Sequence, residues 1–366
     1  MASMKTFSCE LCGQPVYFEN TLCTYCGATL GFLPDRMQLS ALVQGGDGLW
    51  RVPEADPAPR AYRKCVNYAA HDVCNWMVPA EQSDAFCAAC RPNEVIPNLT
   101  RPGNVDKWYR IERSKRRLIY GLLQLGLPML TRAEDSNRGL GFAFLCSLDA
   151  APGEVVMTGH TNGLITINLD EADPAKRERV RVDMAEKYRT LLGHFRHEIG
   201  HYYWDLLIRD SYRLDAFRAM FGDERADYGA ALDGYYAYGA PMNWQNNYIS
   251  AYASAHPWED WAETWAHYLH IVDTLETAAH FGVEVERRMP DGSVQRADPE
   301  FEPYATEAFE PIIDSWLPLS FALNSITRSM GQSDLYPFVL SQPVINKLAH
   351  VHRVVHENRV ARGSGW

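Results

Sequence analysis

Apolar residues recur at helical spacing over Val105–Leu125, where Val105, Trp108, Ile111, Leu118, Ile119 and Leu122 share one face. That pattern predicts a long amphipathic helix. Further along, the period shortens to two: in Leu164–Leu169, Ile165, Ile167 and Leu169 alternate with Thr166 and Asn168. This is the signature of a half-buried strand, and the Asn162-Gly163 pair before it signals a tight turn. Phe142–Leu148 and Val155–Met157 are shorter strand candidates. A second long helix is predicted from Asp183 past His201, with Leu191, Leu192, Phe195, Tyr202, Tyr203 and Leu206 as its apolar positions. Residues 208–250 are aromatic-rich without a clear period, which predicts irregular structure. Helices resume over Pro257–Ala279 and Glu310–Met330, and Gln342–Glu357 is the last.

Cysteine usage divides this pattern in two. Eight of the nine cysteines precede residue 91, and Cys146 stands alone as an expected core thiol. The run IPNLTRPGN, with two prolines and a glycine, places a boundary near Pro97–Asn104. The expected class is α+β: a Cys-rich β module over residues 1–97, then a mostly helical domain with a small sheet over residues 104–357. A length of 366 residues suits two such units. The net charge of −11 disfavours nucleic acid and anionic membrane as partners. The opening MASMKTFSCELC lacks the apolar run of a signal peptide, and Leu118–Leu130 is too short and mixed to span a bilayer. A cytoplasmic location is expected, and there paired cysteines point to metal rather than to disulfides.

Cys9-x2-Cys12, ten residues, then Cys23-x2-Cys26-Gly27 has the spacing of two zinc-ribbon knuckles. A second set is Cys65, Cys74 and Cys87-x2-Cys90. Its first half is irregular, so His71 is an alternative ligand and the two sets could interleave. Two structural zinc ions are expected, supporting a segment poor in core residues. The module would serve as a structural cap or would recognise a protein substrate. It has few Lys or Arg for nucleic acid.

The motif His197-Glu198-Ile199-Gly200-His201 carries the chemistry. Positions four apart on a helix lie about 40° apart on one face, so both imidazoles can converge on one metal. Zinc accepts such ligands, keeps a position open for water and lowers that water's pKa. Glu198, beside the first ligand, is placed to take the proton as general base. Gly200 inside the motif costs about 1 kcal/mol of helix propensity relative to Ala, so a packing or functional reason is expected. The strand Leu164–Leu169, as an edge strand, could hold an extended peptide by β-augmentation. A third ligand is expected from the helix that His256-Pro257 opens, where Glu259, Glu263 and His267 share one face. On spacing alone, either glutamate serves.

The second region resembles the gluzincin metallopeptidases of the anthrax lethal factor type. The match lies in HEIGH and, downstream, in Tyr252, six residues, Glu259 and then Asp260-Trp261-Ala262-Glu263. The resemblance implies Glu259 as third zinc ligand, Tyr252 as a hydrogen-bond donor to the developing oxyanion, and Glu263 as a carboxylate orienting a ligand histidine. The whole chain is also similar to a bacterial family of zinc-binding metallopeptidases with an N-terminal zinc ribbon. CELCGQPVYFENTLCTYCGATLGF, CNWMVPA, CAACRPNEVIPNL, RHEIGHYYWDLL, HPWEDWAETWAHYLH and DLYPFVL carry that likeness. It implies a zinc-dependent hydrolase of peptide bonds, an endopeptidase acting on a protein or peptide substrate, with one catalytic zinc beside the two structural ones. The alternative is a zinc-ribbon adaptor with an inactive peptidase-like domain.

Other features read as packing. Lys115-Arg116-Arg117 is expected on a solvated helix face, and Asp334–Phe338 in a packed wall. Tyr235, Tyr236, Tyr238 and Trp244 either line the cleft or pack. His160 and His194 are not expected to ligate, and His267 and His270 take core or ligand-orienting roles.

Overall fold

The computed structural model describes residues 7–53, 60–147, 156–183, 189–297 and 301–360. It is a mixture of helix and sheet with the strands of the Cys-rich segment first. β1 (Phe7–Ser8) and β2 (Pro15–Val16) form a short antiparallel ribbon. An antiparallel meander follows in chain order: β3 (Thr29–Leu33), β4 (Gln38–Gln44), β5 (Trp50–Arg51), β6 (Tyr62–Lys64) and β7 (Met77–Pro79). Helix α1 (Val66–His71) interrupts it before β7.

The second sheet has the order β10-β11-β9-β8. β8 (Asn93–Val95) is lent by the end of the Cys-rich segment and pairs in parallel with β9 (Gly141–Leu145). β10 (Gly159–Thr161) and β11 (Leu164–Asn168) form the hairpin announced by Asn162-Gly163. Both turn residues have positive φ, 47° and 80°, which turns the chain with the twist of the strands. At Gly163 a Cβ would fall 2.2 Å from the Gly139 carbonyl oxygen, so only glycine fits. β11 alternates buried and half-buried positions as its period demands. It is not an edge strand, however: β9 covers its other side, and β10 is the free edge. Leu148 and Val155 lie outside the described residues, and Val156–Met157 is not in a strand.

α2 (Asn104–Leu125) runs between Gly103 and Gly126, both left-handed. The helix predicted from Asp183 past His201 is α4 (Leu191–Leu207); Asp183 is instead the last residue of a separate helix, α3 (Pro174–Asp183). Thr190, in extended conformation, accepts a hydrogen bond from the Gly193 N–H at 2.9 Å and starts α4 afresh. The stretch expected to be irregular holds α5 (Leu214–Phe221) and α6 (Tyr228–Tyr238). No residue of α6 is buried, so no apolar stripe marks it in the sequence. α7 (Pro257–His280) starts where expected, with the His256 ring accepting from the Trp258 N–H and Pro257 in the first turn. The hairpin β12 (Val285–Arg288) and β13 (Val294–Ala297) precedes α8 (Glu310–Ser329) and α9 (Gln342–Glu357). None of the described helices is long and apolar enough to cross a membrane.

α4 and α7 pack against each other most closely at Gly200. A Cβ there would sit 2.9 Å from the Ala262 Cα and 3.1 Å from the Trp265 Cβ. The Trp261 indole N–H donates to the Gly200 carbonyl at 2.9 Å, and the Tyr203 and Trp265 rings stack at 4.9 Å. α2 packs on α4 with one face and on the Cys-rich module with another, where Phe18 meets Tyr120 edge-on at 5.5 Å. Two residues of the basic triplet on α2 are therefore not solvated: Lys115 and Arg116 are fully buried, while Arg117 stays partly exposed and pairs with Glu19 at 2.5 Å. Cys146 is buried, as expected of a core thiol.

Gly200→Ala tests the crossing. Alanine gains about 1 kcal/mol of helix propensity, but overpacking a close helix contact costs about 1–3 kcal/mol. A net loss of stability is expected in a denaturant titration, and an unchanged or raised midpoint would count against the close approach.

Candidate functional site

The two cysteine sets gather separately. Cys9 and Cys26 bring their sulfurs to 3.6 Å, as do Cys12 and Cys23. Gly13 and Gly27, with φ of 72° and 75°, close the two knuckles by donating to the Cys9 and Cys23 carbonyls. Cys65, Cys74, Cys87 and Cys90 form the second cluster, with Cys74 and Cys87 at 3.7 Å. Tetrahedral zinc with Zn–S bonds of about 2.3 Å needs sulfurs about 3.8 Å apart, so both clusters have the right size. No cysteine is in a disulfide. The sets do not interleave, and His71 instead lies against the Trp108 ring. The clusters differ in setting: Cys26 of the first is exposed, whereas all four cysteines of the second are buried.

The third cluster lies where α4 meets α7. Nε2 of His197 and Nε2 of His201 are 3.1 Å apart. Glu259, in the first turn of α7, brings Oε2 to 3.0 Å from the first and Oε1 to 3.6 Å from the second. Glu263, one turn later, accepts from His197 Nδ1–H at 2.7 Å and from the Ser250 hydroxyl at 2.6 Å. In the neutral ring that bond favours the proton on Nδ1 and leaves the Nε2 lone pair for a metal. The Tyr228 hydroxyl donates to Glu259 Oε1 at 2.7 Å, while Oε2 is buried without a hydrogen-bond partner.

These features test whether a cation fits. Two imidazole nitrogens and a buried carboxylate oxygen that lacks a well-aligned hydrogen bond converge on one point. Ligand bonds of about 2.0–2.1 Å in tetrahedral geometry need donors about 3.3 Å apart, close to the separations found. The site fits zinc. Burial opposes ionisation of Glu259, but the charges and hydrogen bonds of His201 and His197 outweigh it and hold the carboxyl well below its usual range. Burial likewise opposes charge on His197, and Glu259 and Glu263 outweigh it, holding its pKa well up. Both shifts express the same fact: the carboxylates need a positive partner between them.

A cleft of about 340 Å³ opens over this cluster, lined by Glu198, Tyr252, Tyr228, Trp204, Trp258 and the edge strand β10 among others. Tyr252 packs between His197, at 5.9 Å between ring centroids, and Tyr235, at 5.6 Å. Burial, and then the Glu259 charge, raise the Tyr252 pKa far above the ordinary phenol value, so its hydroxyl stays a donor. His160, on β10, stacks 6.4 Å over His201. Its Nε2 accepts the Gly163 N–H at 3.0 Å, and burial lowers its pKa to about 3, so it is a neutral wall of the cleft.

Of the residues expected from sequence, His197, His201, Glu259, Glu263, Glu198 and Tyr252 meet here. Tyr236 and Tyr238 are exposed on α6, and neither they nor Trp244 line the cleft. His194 instead faces Glu171 at 3.3 Å. His267 is held by the Tyr336 hydroxyl at 2.8 Å and His270 by Arg196 at 2.6 Å, away from the metal cluster. Sequence reasoning missed Tyr228, Ser250 and Trp204. Tyr228 is 31 residues from its partner Glu259 and belongs to no motif, so nothing local signals it.

Two thiol clusters and one imidazole–carboxylate cluster on a mixed helix–sheet scaffold define a zinc-binding protein. Residues 104–354 match the family described as "Putative zinc-binding metallo-peptidase", and the chain belongs to it. Residues 6–101 match a zinc-ribbon domain. The chain is 44% identical over 355 residues to uncharacterised proteins of Mycobacterium bovis and Mycobacterium tuberculosis, covering 97% of this chain and 96% of each relative. No solved structure gives a significant match.

The metal content follows directly. Elemental analysis is expected to find three zinc ions per chain, one for each cluster, falling to two in a His197→Ala/His201→Ala double mutant. A count unchanged by that mutation would mean the imidazole pair holds no metal.

Proposed function

We propose that the chain is a zinc-dependent peptidase on the gluzincin pattern, hydrolysing peptide bonds of a protein or peptide substrate. The observation that carries this reading is the convergence of His197 Nε2, His201 Nε2 and the orphaned Oε2 of Glu259 at the floor of a cleft that Glu198 also lines. In it His197, His201 and Glu259 hold the catalytic zinc, and the two four-cysteine clusters hold structural zinc. Zinc in such a site polarises a carbonyl and acidifies a bound water.

The rest is done by the chain's own groups. Glu198 takes the proton of the attacking water and passes it to the leaving amine. Tyr252, its hydroxyl kept protonated by burial and the neighbouring carboxylate, donates to the oxygen that becomes negative. Tyr228 occupies Oε1 of Glu259 and leaves Oε2 to face the histidines, favouring one ligating oxygen over two. Glu263 and Ser250 fix the ring of His197. An extended substrate would add to the free edge of β10, beside the imidazoles. The free thiols of both cysteine clusters suit a reducing, cytoplasmic setting.

Glu198→Gln is expected to keep the full zinc complement and abolish cleavage of an unstructured protein such as casein. Normal turnover in that variant would sink the mechanism. Tyr252→Phe should keep its metal and lose turnover by ~10²-fold or more. Glu259→Ala should lose metal from the imidazole site alone, as read by elemental analysis.

A further inference from the structure

The second cysteine cluster poses an electrostatic problem that the first does not. Four thiolates around a divalent zinc carry a net charge of about −2. At the first cluster, exposed Cys26 lets water solvate that charge. At the second, Cys65, Cys74, Cys87 and Cys90 are all buried. Among the described residues two backbone N–H groups donate to the sulfurs, from Trp76 to Cys74 at 3.4 Å and from Cys87 to Cys65 at 3.5 Å, and these groups carry no net charge. Balancing charge has to come from the protein.

Arg116 of α2 supplies it. The residue is 1% exposed, and its guanidinium forms no carboxylate salt bridge among the described residues. Its Nη1 donates to the carbonyl of Val73, the residue before Cys74, and its Nε is buried without a partner. Its charge acts on Cys74 first, then on Glu112, Cys90 and Cys87. Glu112 Oε1 is bound to Lys115 at 2.9 Å, to the Trp108 indole at 3.2 Å and to Asn93 at 2.7 Å, and Oε2 has no hydrogen-bond partner. Its single charge is matched by that of Lys115, which leaves Arg116 as the second buried cation of the pair. A buried guanidinium is not tolerated without negative charge nearby, and a metal–thiolate cluster provides it.

We infer that Arg116 is the counter-charge of a zinc–thiolate centre at Cys65, Cys74, Cys87 and Cys90, and that this centre is a clasp between α2 and the Cys-rich module rather than a self-contained fold element. The neighbours of Arg116 strengthen the same seam: Lys115 reaches Asn93, and Arg117 reaches Glu19. α2 in turn packs against α4, the helix of His197 and His201. Metal at the second cluster thus supports the docking of a helix that backs the imidazole site, whether or not that site hydrolyses anything. The first cluster closes the knuckles on either side of Phe18 and Glu19, which meet Tyr120 and Arg117 of α2, but its exposed Cys26 leaves its charge to water rather than to a buried cation of that helix.

The test is zinc release from the full chain. Wild type, Arg116→Met and Arg116→Lys are challenged with a chelator, release is followed by a colorimetric zinc indicator, and the freed cysteines are alkylated and mapped by mass spectrometry. Arg116→Met is expected to free the second cluster at least ten-fold faster while Cys9, Cys12, Cys23 and Cys26 stay protected. Arg116→Lys, which keeps the charge, should restore most of the retention. Wild-type release from the second cluster in Arg116→Met would overturn the inference, as would equal acceleration at both clusters.

Should Arg116→Met fail to fold, hydrogen exchange on the wild-type chain decides. Stripping the second cluster is expected to raise exchange in α2 around residues 112–116, beside Arg116, whereas emptying the first by Cys9→Ser/Cys26→Ser leaves those residues protected. Unchanged protection of α2 after the second cluster is stripped would equally overturn it.

Discussion

The contact between α4 and α7 at Gly200 is the constraint on which the site depends. A helix pair normally keeps its axes apart by the width of its side chains. Here the missing side chain lets the backbone of Ala262 come within the reach of a single carbon atom. That approach brings Glu259 and Glu263, successive turns of α7, against the His197 and His201 face of α4. A wider separation would leave two imidazoles on one helix and two carboxylates on another, with the 3.0–3.6 Å separations between donors lost. The glycine inside the histidine motif is thus a packing residue with a chemical consequence.

A second constraint is the burial of charge around α7. Asp260 pairs with Lys347 at 2.6 Å, Arg196 with Asp273 at 2.7 Å, and Glu276 accepts from Tyr120 at 2.8 Å. Buried pairs of this kind add little net stability, because desolvation offsets their attraction. Their effect is to penalise every other register of α7 against α2, α4 and α9, since a slip would strand a charge in the core. The helix that carries the carboxylates is therefore fixed by polar partners as well as by Trp261 and Trp265.

The Cys-rich module changes character in the structure. Its spacing suggested a structural cap or a module that recognises a protein substrate. In the structure it lends β8 to the sheet that borders the cleft and buries its second cysteine cluster near α2. The basic triplet on α2 looked like a solvated face because a charge run on a helix usually is one. Lys115 and Arg116 are buried because the module covers them, a fact set by residues 73 and 93, far away in the chain.

By itself the sequence determined what depends on short separations. The four-residue spacing of His197 and His201 holds on any helix, the paired cysteines shape their own knuckles, and the hairpin at Asn162-Gly163 follows from two backbones that tolerate positive φ. Tertiary structure decided which glutamate faces which nitrogen, since Glu259 and Glu263 are equivalent by spacing and are told apart only by the crossing at Gly200. It also decided that Tyr228 reaches Glu259, that β10 rather than β11 is the free edge, and that Arg116 is buried. Each of these joins segments tens of residues apart, whose meeting depends on the whole packed core and leaves no periodic trace in either segment alone.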